Sequence, residues 1–244
     1  MSEKNGNWWE FYGVRYAQGA VVGALLVFLI FSQNETLKKI LILPAENKDF
    51  GVPHLILLAV YGLVYCYIAS APILIMHAAR GLLFKSSINP NPSKGWISRL
   101  FTILGPSVAI VLFYWLNFDG DFSKCAAIFL FCLLVLFQFR LIYEVFYKSW
   151  PVTISYYKSI IGKRAIGANL EFVESYKHIR EHGNSFLIVI FQFLLAVPLF
   201  MIVGLAKTPE STISNLMTLV ILWIFPGSFI WMFGNKLENY LQDS

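Results

Sequence analysis

The chain has 244 residues, of which 57% are hydrophobic and 14% charged, whereas soluble domains average about 25% charged. It lacks the polar coat that a water-soluble globule of this size needs, and 17% aromatic residues, including 22 Phe, exceed what one soluble core would hold. The net charge of +5 reads as a topology signal, and nothing in the composition points to nucleic acid.

From the N-terminus, the charged and aromatic stretch before Tyr16 is unlike a cleavable signal peptide, so the first apolar run reads as a retained span. About 20 apolar residues of helix cross a bilayer core about 30 Å thick. Six runs qualify: Tyr16–Ser32, Val52–Ala78, Ile97–Asn117, Phe122–Phe139, Ser185–Ala206 and Ile213–Phe233. The expected fold is therefore all-α, a single polytopic membrane domain over residues 1–244. With the N-terminus in the cytoplasm, inside segments carry 14 Lys and Arg and outside segments 5, the bias of the positive-inside rule. Both termini are then cytoplasmic. Trp8, Trp9, Trp96 and Trp150 fall near the inner interface and Trp115 near the outer one.

The first run carries Gly19-Ala20-Val21-Val22-Gly23, with Ala17 and Ala24 beside it. Small residues four apart let two helix backbones approach closely, within one chain or between copies. The outer loop that follows holds Asn34-Glu35-Thr36, a glycosylation acceptor triplet very near the membrane, and Leu37–Leu43, an interfacial turn of helix ended by Pro44. Cys66, Cys125 and Cys132 all lie in apolar runs, with no metal-ligand or disulfide spacing. Pro72, Pro106, Pro198 and Pro226-Gly227 interrupt spans, most simply as packing kinks. The inner loop Arg80–Arg99 is basic and has no acid, which attraction to anionic headgroups explains. A faint echo of Ile97–Thr102 in Ile213–Thr218 is what an inverted repeat would leave, although the other spans do not support one.

The sizeable soluble piece is residues 140–184. Arg140 and Glu144 extend the fourth helix, Trp150-Pro151 interrupts it, and Asn169 caps a helix expected to run to His182 and end at Gly183. Phe172, Tyr176 and Ile179 form one apolar stripe on it, suited to the inner membrane surface or to a soluble cytoplasmic partner. The same helix carries His178, Glu181 and His182 as H-x-x-E-H, the inverted zinc-peptidase pattern, with Glu174 one turn earlier. The spacing suits a metal, but that pattern belongs to large soluble domains, so solvated polar residues are the expected reading and no metal or cofactor is assigned.

The span centres lack Asp, Glu, Lys, Arg and His, which argues against cation-coupled transport. The short turn with Asp119 and Asp121 is a helix connection. The expected function is non-enzymatic: an inner-membrane protein, bacterial in type, working by assembly as a sensor, anchor or pore-forming subunit. It would act as a homo-oligomer or with a cytoplasmic partner, and an effector of stress response or antiviral phage defence has this profile. The rival readings are a transporter or channel for a neutral or lipid-like solute, and a metal-dependent membrane enzyme.

Overall fold

A computed structural model describes residues 8–42, 44, 49–83, 122–164, 170–205 and 208–242. The third apolar run, its Pro106, the loop before it and the turn holding Asp119 and Asp121 lie outside the described residues. In chain order the helices are α1 (Trp8–Ser32), α2 (Glu35–Ile40), α3 (Val52–Ala69), α4 (Ala71–Ala78), α5 (Arg80–Leu83), α6 (Phe122–Tyr143), α7 (Trp150–Arg164), α8 (Leu170–Leu205) and α9 (Pro209–Gln242). A five-residue π-helical turn, Glu144–Lys148, joins α6 to the bend at Ser149. No strand occurs among the described residues.

Among the described residues four stretches are long and apolar enough to cross a membrane: Val52–Ala78, Cys125–Phe146, Gly183–Gly204 and Pro209–Tyr240. Tyr16–Ser32 is a shorter apolar stretch, but it lies within α1, whose 25 residues span about 38 Å. In lipid every backbone polar group needs an internal partner, so an apolar run of this length has little choice but helix.

The helices fall into two compact units: residues 1–70 with 175–220, and residues 71–174 with 221–244. In the first unit α1 packs against α3 through backbone. A Cβ added at Gly23 would lie 3.1 Å from the Gly62 Cα, and one added at Gly62 would lie 2.8 Å from the Ala24 Cα. With lipid tails as apolar as leucine, such close van der Waals packing, not water exclusion, holds the pair together. In the second unit Ile75, Ala79, Leu141, Val145 and Phe233 form a core contributed by α4, α6, the π turn and α9. Trp223, fully buried on α9, stacks on Phe131 of α6 with ring centroids 5.9 Å apart.

One local expectation is overturned and two are refined. Gly183 does not end a helix: α8 runs unbroken through Gly183 and Asn184 to Leu205, so the stretch expected as a separate helix is the first three turns of the helix that carries the apolar stretch Gly183–Gly204. A glycine inside a helix costs about 1 kcal/mol, less than orphaning several backbone groups next to lipid. Trp150-Pro151 ends one helix and also starts another, because proline in a first turn forfeits no hydrogen bond. Of the described prolines within apolar runs, Pro198 and Pro226 lie inside continuous helices. Pro72 accompanies a break, at Ser70, whose hydroxyl donates to the Tyr67 carbonyl at 2.9 Å.

Candidate functional site

The first unit has a polar node at mid-span. Gln192, fully buried on α8, donates its side-chain amide to the Gly19 carbonyl at 2.9 Å. The Tyr65 hydroxyl of α3 donates to the Gln192 backbone carbonyl at 2.7 Å. Gly19 makes this possible, since a Cβ there would meet the Cys66 sulfur and come within 3.5 Å of Ile188. The node therefore ties α1, α3 and α8 together. Gly19 and Gly23 both face neighbours in their own chain, and the small-residue face of α1 is occupied by α3.

At the other end of α1, Asn34 caps α2, its Oδ1 accepting from the backbone N–H groups of Thr36 and Leu37 at 2.9 and 3.2 Å. Its amide also reaches the Thr212 hydroxyl of α9 at 3.4 Å. The glycosylation triplet is thus engaged as a helix start. Nearby, Leu25, Phe28, Phe50 and Leu58 line a shallow groove of about 240 Å³. Phe50 sits edge-on to Phe28 there, with centroids 5.8 Å apart. Its lining is wholly apolar, so it suits an alkyl chain and has no group to direct a reaction.

The second unit places charge at one end of its helices. Glu144 accepts from Arg140, one turn before it, and from Lys148, one turn after it, at 3.4 Å in the latter case. The Ser149 hydroxyl donates to the same carboxylate at 3.4 Å. One carboxylate thus gathers two cations around the π turn. The Tyr157 hydroxyl of α7 donates to the carbonyls of His77 and Ala78 at 3.1 and 3.4 Å, supplying a partner to the carbonyls at the C-terminal end of α4. Burial pushes the Tyr157 phenol up, with the Arg80 charge pulling the other way, so it is a neutral donor at physiological pH.

Between α7 and the end of α9 the contacts are reciprocal. Lys236 of α9 lies 4.2 Å above the Trp150 ring of α7, and Lys158 of α7 lies 5.2 Å from the Tyr240 ring of α9. Each helix supplies one ammonium and one aromatic face. Sequence reading missed this clasp because it read Trp150-Pro151 only as a stop. The available signal was the proline at a helix start, followed by Tyr157 and Lys158 two turns on.

One buried group stands apart. Gln138 on α6 is 1% exposed, and neither its amide nitrogen nor its oxygen has a hydrogen-bond partner among the described residues. Buried side-chain amides are almost always paired, because leaving one unpaired costs about 1–3 kcal/mol.

The backbone of α8 carries Phe172, Tyr176 and Ile179 on one stripe, and Glu174, His178, Glu181 and His182 about 200° around it. Their side chains lie outside the described residues, so neither the stripe's partner nor a metal set is placed. Among the described residues no group of three His, Cys, Asp or Glu could hold a metal ion. Comparison with known protein families, with curated proteins and with solved structures finds no match to this chain.

Proposed function

We propose that this is a non-enzymatic bacterial inner-membrane protein that works by assembly, as an anchor, sensor or pore-forming subunit with a soluble cytoplasmic partner. The carrying observation is the length of two helices. α8 has 36 residues and α9 has 34, about 54 and 51 Å, against a hydrocarbon core of about 30 Å. α8 exceeds the bilayer at its start, where Phe172, Tyr176 and Ile179 lie, and α9 at its end, after Phe233. The Lys and Arg bias supports a cytoplasmic place for both extensions. Helix that continues a span into water, with an apolar stripe along it, offers a docking face of the helix-in-groove kind. Because Gly19 and Gly23 are occupied within the chain, a homo-oligomer would use another face, and α9 has one that includes Met217, Ile221 and Phe225. A role in stress response or phage defence fits such an assembly.

The test is capture of associated proteins from the native host after gentle extraction, comparing wild type with Phe172→Asp/Tyr176→Asp/Ile179→Asp. The partner is expected to be lost with the triple variant while the membrane fraction and native mass of the chain stay unchanged. Equal recovery of the same proteins would refute the docking face.

Gln138 favours a second reading, passage of a neutral solute. It sits near the middle of the Cys125–Phe146 span and offers donor and acceptor groups to an uncharged polar molecule. Purified protein alone in liposomes should then pass such solutes, and Gln138→Leu should stop them. Tight liposomes across a broad panel of sugars, polyols and amides would remove this reading.

A further inference from the structure

Beyond the proposed assembly, and independently of it, the clasp between α7 and α9 has the chemistry of a lipid headgroup site. Lys158 and Lys236 are both exposed, and neither has a carboxylate partner among the described residues. Each is instead held over an aromatic face, which fixes the ammonium on one side and leaves other N–H donors free for an acceptor. Among the described residues, the neighbouring elements add no competing negative charge. α7 contains no acid. Glu144 is already shared by Arg140 and Lys148, and Glu238 lies about 200° around α9 from both Lys236 and Tyr240. Ser155 and Ser159 share the exposed face of α7 with Lys158 and add two hydroxyl donors.

Depth selects the ligand. Phe233 is 4% exposed and packs against both Trp150 and Tyr157 with centroids 5.9 Å apart, marking the end of the apolar part of α9. Lys236 follows three residues later, about 4.5 Å along the helix. The polar headgroup layer on each side of a bilayer is about 5–7 Å thick. With the apolar part of α9 filling the hydrocarbon core, Lys236 falls at the level of lipid phosphates, beside a Trp and a Tyr of the kind that belt this layer. Lys158 is held against Tyr240, about one helical turn farther along α9 than Lys236, so the pair lines the outer side of this layer.

We propose that Lys158 and Lys236, with Trp150 and Tyr240 as their ring supports, bind the phosphate of an anionic phospholipid. The site is a specific one within the general attraction of basic loops to the inner leaflet, because two ammonium groups are positioned in advance by two rings. A basic residue at an anionic membrane surface strengthens binding about fivefold, so removing both should weaken it roughly 25-fold.

The test is a lipid titration of the full-length, detergent-extracted protein read by native mass spectrometry, with phosphatidylglycerol and phosphatidylcholine of the same chains. Wild type is expected to retain phosphatidylglycerol preferentially. K158Q/K236Q should lose that preference by roughly 25-fold, and K158R/K236R should keep it. Equal affinity for the two lipids in wild type, or an unchanged preference in the glutamine pair, overturns the proposal. If the glutamine pair does not extract as a folded protein, the wild type under rising salt decides: falling phosphatidylglycerol binding supports an ionic site, and salt-insensitive binding overturns it. Displacement of the lipid by inorganic phosphate at equal concentration would assign the cradle to a soluble anion. Release of a bound soluble protein by the lysine substitutions, with the lipid preference intact, would assign it to an acidic protein partner. Either result overturns the lipid assignment.

Discussion

Gly62→Leu is expected to destabilise the first unit strongly. Gly62 sits where α3 crosses α1, and even a Cβ there runs into the Ala20 carbonyl and the Ala24 backbone. The obstruction is main chain, which cannot swing aside as a flexible side chain can. Overpacking a tight contact costs about 1–3 kcal/mol when side chains can adjust, so the upper end or more is expected here. For a chain of this size that corresponds to a fall of roughly 10 °C in apparent melting temperature. The measurement is the fraction of monodisperse protein after graded heating in mild detergent. Gly204→Leu is the control, because a Cβ at Gly204 meets nothing within 4 Å and Leu is a better helix former than Gly. If the Gly62 and Gly204 variants melt alike, the α1–α3 contact is not where the first unit gets its stability.

Trp223→Ala should have the next largest effect, in the second unit. Trp223 is fully buried, and its ring stacks on Phe131. Deleting a buried Trp or Phe costs about 3–5 kcal/mol in soluble proteins, part of it transfer from water. Lipid is already apolar, so within a bilayer the transfer part largely vanishes and the lost packing remains. The expected cost is therefore at the low end, about 3 kcal/mol. Trp231, eight residues on along the same helix, is 77% exposed, and Trp231→Ala should change the same melting curve little. Equal losses at the two positions would mean that Trp223 packs no more tightly than an exposed ring.

These two sites show what could be read in advance. Four of the six expected spans correspond to helices long and apolar enough to cross a membrane, because length and hydropathy act locally and lipid forbids other backbone arrangements. The small-residue face of α1 was also legible at Gly19 and Gly23. What it packs on was not, since Gly62 is 39 residues away from Gly23 and no periodicity within one helix names its partner. Gln192 was visible as a polar residue in a span, but its bond to the Gly19 carbonyl needed both helices in place.

Helix ends were the weakest part of the reading. Gly183 carries a stop signal that the following apolar run overrides. Trp150-Pro151 carries a stop and a start at once, and reading only the first hid α7 and with it the Lys158–Tyr240 and Lys236–Trp150 pairs. A single residue's preference of about 1 kcal/mol decides a boundary only where nothing larger competes. Beside a membrane the backbone's need for internal hydrogen bonds outweighs it.

The two units are held differently, by backbone-close packing in one and by an aromatic and aliphatic core in the other, and α8 and α9 are longer than a bilayer core is thick. The polar groups at mid-span go mainly into holding helices together, as Tyr65 and Gln192 do. The proposed function is that the chain acts through what it assembles with. The most direct measurement is the native mass of the tagged protein, extracted gently from its own host with associated proteins retained. A defined homo-oligomer or a stable complex with a soluble protein is the predicted result, and a clean monomer that passes neutral solutes through liposomes would contradict it.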